Sequence, residues 1–264
     1  MKVRLLVDGE RPKVGEEELR RVVEGAGIAV SHAGATMAIV VGGDGVFGRF
    51  GMTETLPLLF VGVRSRSATG SKAYLAATTF DRLPSALRAI AEGRYSVKEQ
   101  KRLKVMREGR VLGEVFTDVY LQRGADSNCV RYEVSVRGPG ISIDESAIGD
   151  GVVVTTAAGS TGYYSYPDRL HGDALRASGH TGIGEDELGI CHIVPTYTER
   201  HGSGEHPLRY VVPWGSEVQL EITRHADARL YGVTTARGGI PLDIGQKVRI
   251  SPSATATKVV VLGA

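Results

Sequence analysis

The sequence predicts an α/β amino-terminal domain on a parallel, Rossmann-like sheet, followed by a β-rich carboxy-terminal domain. Two observations carry this. In the first part of the chain short apolar runs alternate with stretches of helical spacing, the pattern of βαβ units. Further on, runs with a period of two follow one another with little helix between them, the pattern of antiparallel sheet with one buried and one solvated face. The boundary falls where Arg94 to Arg107 forms the most charged stretch, giving domains 1–98 and 99–264, with the last strand packing back on the first domain.

Taken in order, Val3 to Val7 reads as a strand. Leu19, Val22, Val23 and Ala26 fall at i, i+3, i+4 and i+7 of a helix from Glu16. Met37 to Val41 is a buried-type strand running into Gly42-Gly43-Asp44-Gly45, and Leu58 to Val63 is another. Asp81 to Gly93 is a helix with Pro84 early, Leu83, Leu87 and Ile90 on one side and Gly93 as its stop. In the second part Val130, Tyr132, Val134 and Val136 alternate with Arg131, Glu133, Ser135 and Arg137, and Val218, Leu220 and Ile222 alternate with Glu217, Gln219 and Glu221. Further strands are expected at 111–122, 151–156, 190–194, 228–233, 247–251 and 258–262, and loops at 165–188 and 196–208.

Composition excludes several classes. The 264 residues carry 32 Lys+Arg against 30 Asp+Glu, a net charge of +2, which argues against a protein that coats a polyanion, so no nucleic-acid partner is expected. With 42% apolar and 23% charged residues the chain is too hydrophobic to be disordered. Cys129 and Cys191 make neither a disulfide framework nor a four-thiolate metal site, which fits a reducing cytoplasm. The first apolar run breaks into charge at Asp8 and is not a signal peptide, and no apolar stretch reaches the roughly 18–20 residues that span a bilayer. A soluble cytoplasmic protein without a membrane partner is expected. A single Asn (Asn128), four Gln and Arg-rich charge suggest a thermophilic source or a biased genome composition.

Two stretches carry chemistry. Gly42-Gly43-Asp44-Gly45 sets a carboxylate among glycines at the end of a strand, where an open α/β sheet binds ligands and glycine lets backbone N–H groups approach a phosphate. Asp44 there can hold Mg²⁺ or take a proton from an attacking hydroxyl. The same four residues would also serve a tight turn in which Gly supplies a positive φ and Asp caps the next turn of the chain. No Gly-Lys-Ser/Thr comes after it, so this is not a Walker loop. The second stretch, Gly149-Asp150-Gly151 to Gly159-Ser160-Thr161-Gly162-Tyr163, is a strand opening into a turn of small residues. It suits a sugar-phosphate or a nucleobase, with Ser160 and Thr161 as donors, or else a glycine-rich turn whose hydroxyls cap a helix.

Together the two stretches resemble the ATP-NAD kinases, in which a GGDG motif in the first domain and a G-D-G…T-G-S-T-A-Y motif in the second build one cleft. The likeness extends in order and spacing through Ala91-Glu-Gly-Arg-Tyr95, Leu103-Lys-Val, Phe116 to Gly124, Val130 to Val134, Pro207 to Pro213 and Pro241 to Ile250, covering most of residues 37–262. The resemblance implies a two-domain NAD kinase-like fold with NAD between the domains. It implies transfer of a phosphoryl group from ATP to the adenosine-ribose 2′-hydroxyl of NAD to give NADP, with Mg²⁺ and as a homo-oligomer. Asp44 occupies the position of the catalytic Asp. Gly42, Gly43 and Gly45 would shape the phosphate turn and Arg49 would neutralise phosphate charge, unless Arg49 is a solvated helix residue. Thr117, Asp118, Asp150, Ser160, Thr161, Gly162 and Tyr163 would bind the dinucleotide, and no protein-held metal site is implied.

This chain also departs from the family. Val46 follows GGDG where a hydroxyl residue is usual, and Thr117-Asp118 replaces Asn-Glu, so a carboxamide that donates and accepts is missing. Ala157-Ala158 replaces Pro-Thr, Gly162 replaces Ala, Tyr164 to Arg169 replaces a small-residue run, and Tyr231-Gly232 stands where Asp-Gly is expected. A non-catalytic or diverged dinucleotide-binding protein is therefore a second reading. A lipid or sphingoid-base kinase, which also uses a Gly-Gly-Asp-Gly turn, is disfavoured by Gly159 to Tyr163 and by the lack of a membrane-seeking face. His32, His171, His180, His192, His201, His206 and His225 show no metal spacing, with His201 and His206 on a loop where they could touch substrate. Ser160 lacks a Gly-x-Ser-x-Gly elbow, and Cys129 and Cys191 fall in expected strands as inert thiols.

Overall fold

The apolar run Met37–Gly42 is buried along its whole length, and that burial organises the first of two units. The computed structural model describes residues 1–9, 14–63, 73–171, 182–224, 227–234 and 238–263. Unit 1 comprises Met1–Gln100 with Ala256–Ala264, and unit 2 comprises Lys101–Thr255.

Unit 1 contains β1 (Lys2–Val7), α1 (Glu16–Gly25), β2 (Ala29–Val30), β3 (Met37–Gly42), α2 (Asp44–Thr53), β4 (Leu58–Gly62), β5 (Thr78–Thr79) and α3 (Leu83–Ala91). Its strands are parallel in the order β2-β1-β3-β4, with β5 beside the end of β4 at Val61↔Thr78. Leu19 and Val23 of α1 and Leu83, Leu87 and Ile90 of α3 pack with Val3, Ile39, Val41, Leu59 and Val61, so the helices cover one face of β-branched strands. Glu16, Glu17 and Glu18 sit in the first turn of α1, where negative charge complements the helix dipole. Pro84 opens α3, and Gly93 follows its end at φ 77°, which glycine adopts without penalty. Phe47 of α2 stacks on Phe60 with ring centroids 4.6 Å apart.

Unit 2 contains most of β6 (Tyr95–Arg107), then β7 (Arg110–Val115), β8 (Asp118–Arg123), β9 (Val130–Gly138), β10 (Ile141–Gly149), β11 (Gly151–Thr155), the one short helix α4 (Tyr166–His171) among the described residues, β12 (Glu187–Ile193), β13 (Tyr197–Arg200), β14 (Arg209–Pro213), β15 (Glu217–Ile222), β16 (Ala228–Tyr231) and β17 (Ile240–Leu242). β18 (Lys247–Leu262) gives its beginning to unit 2, at Val218↔Ile250, and its end to unit 1, at Val259↔Leu58. One antiparallel ladder in unit 2 runs β13-β10-β9-β15-β18 and the other runs β14-β12-β11-β8-β16-β17. Val130, Tyr132, Val134 and Val136 are buried while Arg131 and Glu133 are exposed, so the period-two pattern reports one core face.

The structure corrects several sequence expectations. The charged stretch read as a boundary is strand β6, whose residues Tyr95–Glu99 are all exposed; with no buried face there is no hydropathy alternation to see. The strand expected over 111–122 breaks at Phe116 and Thr117 into β7 and β8. The two strands expected at 247–251 and 258–262 are one, joined through Pro252 to Thr257, where polar residues hide the period. The expected loop 196–208 begins with β13, and the expected loop 165–188 contains α4 and the start of β12, with its residues 172–181 outside the described ones. Cys129 precedes β9 rather than lying in it, and both thiols are free. No helix among the described residues is long and apolar enough to cross a membrane.

Candidate active site

In unit 1 the order β2-β1-β3-β4 reverses between β1 and β3, and open α/β sheets bind ligands outside the carboxyl ends of the strands at that reversal. Asp8 follows β1 there, and Gly42-Gly43-Asp44 closes β3. Gly42 must lack a side chain, because a Cβ would stand 2.8 Å from Cβ of Val46 as the chain folds into α2. A Cβ on Gly45 would meet nothing within 4 Å, so space lies open beside it. Gly43 caps α2 with its carbonyl, which accepts from the N–H groups of Val46 (2.9 Å) and Phe47 (3.1 Å). The first N–H groups of α2 have no acceptor within their helix and carry its positive end.

Asp44 is the first residue of α2. Its Oδ1 accepts a hydrogen bond from the Leu75 N–H at 3.0 Å, and the Tyr74 N–H also bonds the carboxylate. Its Oδ2 is buried without a hydrogen-bond partner among the described residues. Burial pushes the carboxyl above its ordinary range despite those two backbone bonds. Arg49 is partly exposed: its guanidinium pairs with Asp8 at 3.1 Å and lies 5.1 Å from the Phe50 ring centroid.

In unit 2 the second stretch is bound tightly to the start of β8. The Thr156 hydroxyl donates to the Phe116 carbonyl at 2.9 Å, and the Thr156 N–H to the Thr117 carbonyl at 2.9 Å. A Cβ on Gly159 would stand 2.6 Å from the Thr117 carbonyl oxygen, so glycine is required there. Ser160 donates its hydroxyl proton to the Ala157 carbonyl at 2.7 Å. Without a ligand that proton stays inside the turn. A Cβ on Gly162 would stand 3.1 Å from Oδ2 of Asp118, so this carboxylate and the glycine turn are neighbours. Burial pushes Asp118 up to about 6, against hydrogen bonds from the Thr117 hydroxyl and its own backbone.

Asp118 shares a sheet face with Tyr120, whose ring lies 5.1 Å from Tyr163 and stacks at 5.3 Å on Tyr231 of the adjacent strand. Asp118, Gly162, Tyr163 and the tyrosine pair thus form one surface. Asp150 does not join them: it precedes the opposite end of β11, about 17 Å along the strand, in an ion pair with Arg123 at 2.8 Å. The sequence reading named Tyr231 only as a departure from the family and did not single out Tyr120, although Tyr120 stands two residues after Asp118 on the same face. Of the histidines, His192 is buried, His201 bonds Ser146 at 2.8 Å and His206 bonds the Thr198 carbonyl, so none of these three is a free ligand. His180 and His225, and the side chain of His171, lie outside the described residues. Burial pushes the Cys191 thiol up to about 12, which makes it inert.

The Asp118 shift gives a stability prediction. A carboxyl whose folded value exceeds its unfolded one destabilises the fold as pH rises between the two, here from about 4 to about 6. Asp118→Asn should flatten thermal stability over that interval and raise it at neutral pH; an unchanged pH profile would show that Asp118 ionises freely.

Comparison with known proteins places this geometry. No protein-family model matches the chain. It is 27% identical over 237 residues to an NAD kinase of Magnetococcus marinus, covering 86% of this chain and 69% of that protein. It is 29% identical over 236 residues to an NAD kinase of Geobacter sp. strain M21, covering 86% and 73%. Among solved structures it superposes on yeast NADH kinase complexed with NADH at a TM-score of 0.69, with 14% identity, over 100% of this chain and 83% of that one. The match to an NAD kinase from Archaeoglobus fulgidus in complex with ATP has a TM-score of 0.65, with 17% identity, over 99% and 92%. With the glycine-flanked Asp44 ending β3, the glycine turn after β11 and these similarities over most of its length, the chain resembles the NAD kinases in sequence and shares their fold.

Proposed function

We propose that the protein is an ATP-dependent NAD kinase that transfers the γ-phosphoryl group of ATP to the adenosine-ribose 2′-hydroxyl of NAD, giving NADP. The observation that carries this reading is Oδ2 of Asp44, a buried acceptor without a donor at the reversal of a parallel sheet. An orphaned buried acceptor costs about 1–3 kcal/mol, and a substrate hydroxyl bound there supplies the missing donor. Asp44 accepts that proton as the hydroxyl attacks, and its raised basicity suits the task. The Leu75 and Tyr74 N–H groups hold the carboxylate in one orientation while Oδ2 works.

Phosphate charge is met by the positive end of α2, with Gly42, Gly43 and Gly45 letting backbone come close. Arg49 joins once phosphate competes with Asp8 for it. Asp118, Thr117, Thr161, Gly162 and Tyr163 contact the dinucleotide in this reading, and Asp150 takes a more distant part of it. Among the described residues no group of three His, Cys, Asp or Glu can hold a metal. One carboxylate plus substrate phosphates is the usual way to bind Mg²⁺; with Oδ2 of Asp44 taken by the substrate hydroxyl, the ion would rest on the substrate phosphates. When bound, the ion neutralises charge developing on the phosphates. The reading includes a self-associating, cytoplasmic protein, for which the resemblance and the two free thiols speak; light scattering tests the first part.

A coupled assay for NADP with NAD, ATP and Mg²⁺, run at moderate and at high temperature, tests the reaction. Activity should fall as pH drops through a value above the ordinary carboxylate range, because Asp44 must be ionised to accept the proton. A flat acid limb would remove Asp44 as the base, and NAD or ATP binding with no NADP formed would favour the diverged binding protein.

A further inference from the structure

Three tyrosines and one carboxylate share a face of the β8–β16 ladder in unit 2. Asp118 and Tyr120 stand two residues apart on β8, and Tyr231 lies opposite Tyr120 on β16. The Tyr120 and Tyr231 rings are within 15° of parallel, and Tyr163, from the turn after β11, is tilted by 57° against Tyr120. Two glycines fix this arrangement. Gly232 sits at φ 84°, and a Cβ there would overlap the Asp118 carbonyl, so glycine lets β16 close on β8 directly after Tyr231. A Cβ on Gly239 would stand 2.8 Å from Cε1 of Tyr231, so the edge of that ring rests against backbone. The rings are held but not covered: Tyr163 is 38% exposed, and Tyr120 and Tyr231 are partly exposed.

The carboxylate lacks a counter-charge. Asp118 accepts from the Thr117 hydroxyl and from its own backbone, and no Lys, Arg or His among the described residues pairs with it. Arg229, two residues before Tyr231, is committed elsewhere: its Nε pairs with Asp227 at 2.8 Å and its Nη1 donates to the Gly238 carbonyl at 2.8 Å. Burial pushes the Asp118 carboxyl up, as it does for a charge held without an opposite one. The tyrosines add to the demand, because each ring presents a negative π face. A carboxylate edged by such faces complements a flat cation.

The nicotinamide ring of an oxidised dinucleotide is a flat aromatic cation, whereas adenine and the dihydronicotinamide ring of NADH are neutral. We infer that Asp118, Tyr120, Tyr163 and Tyr231 form the subsite for the cationic ring of NAD, with Tyr120 and Tyr231 as specificity-determining residues that favour the oxidised over the reduced dinucleotide. Naming NAD rests on the kinase reading; the preference for an aromatic cation does not. NAD and NADH differ by one hydride on this ring, so their phosphates and riboses make the same contacts and only the ring's subsite tells them apart. The device belongs to this chain: Tyr231 stands where the resemblance expects Asp, an aromatic ring in place of a carboxylate, while residue 118 remains acidic.

Calorimetry with NAD and with NADH, each added alone to the full chain, tests the subsite without turnover. The wild-type protein should bind NAD about tenfold more tightly than NADH, the order expected of a cation held by aromatic faces. Tyr231→Leu should weaken NAD about fivefold and leave NADH within about twofold, whereas Tyr231→Phe, which keeps the ring, should keep the preference. Asp118→Asn should likewise weaken NAD alone. Equal affinities in the wild-type protein would overturn the inference and leave the kinase reading standing. Equal losses of both forms in Tyr231→Leu would overturn it too, since a ring with a structural role alone serves both alike. If neither dinucleotide binds, the kinase reading falls, and 1-methylnicotinamide against neutral nicotinamide, followed by NMR of the tyrosine rings, reads the subsite by itself. Shifts with the cation alone would support the inference; equal shifts, or none, would overturn it as well.

Discussion

Asp44→Asn is expected to lower NADP formation by about 10²- to 10⁴-fold without lowering the melting temperature, since a positioned general base contributes a factor of that order. The amide oxygen can still accept the Leu75 N–H, so the start of α2 keeps its anchor. What disappears is a basic oxygen at Oδ2, the side of the carboxylate that no hydrogen bond among the described residues uses. The stability half of the prediction rests on the raised carboxyl. An acid whose folded value lies above its unfolded value destabilises the fold once the pH exceeds the folded value, and asparagine has no charge to bury. The melting temperature at neutral pH should hold or rise, as is common when a strained catalytic group is removed. A coupled NADP assay and a thermal melt on one preparation check both halves. Normal turnover would remove Asp44 from the chemistry, and a lower melting temperature would mean that Oδ2 has a structural partner.

The first half of this site was legible in the sequence because its determinants are local. A β-branched run that ends in glycines and a carboxylate needs only its own register to put Asp44 at the carboxyl edge of β3, and Gly42 is dictated by Val46, four residues away. The glycine turn after β11 was legible for the same reason, up to the donor it was expected to supply: the fate of the Ser160 proton depends on the curl of residues 157–159, which composition does not encode. What stayed hidden depends on pairings between distant segments. Tyr231 meets Tyr120 only because β16 pairs with β8 in one register, and Arg49 loses its free charge only because Asp8 ends the neighbouring strand. Strands β6 and β18 were misread because sequence periodicity reports a strand only where it has one wet and one dry face.

Glu145→Ala should be the most damaging single change in unit 2, costing about 3–5 kcal/mol, the usual penalty for removing one member of a buried ion pair. Alanine leaves three donors without their acceptor: the Arg200 guanidinium, the Tyr210 hydroxyl and the His192 ring nitrogen. Arg200 is partly exposed and can turn to water, and its pair with Glu205 at 2.7 Å remains. His192 has no such escape, since its side chain is wholly buried. The melting temperature should drop by about 10 °C for a chain of this size. Glu145→Gln, which keeps one acceptor oxygen and the packing, should cost less. Adding a second change tests the cause: in Glu145→Leu/His192→Leu the buried carboxylate and the buried ring facing it are both gone, only Arg200 and the Tyr210 hydroxyl lose an acceptor, and apolar replacement of a buried pair is often close to neutral. The double variant should therefore be more stable than Glu145→Ala, although it removes more polar contacts. If it is instead less stable, the network stabilises the fold by its hydrogen bonds.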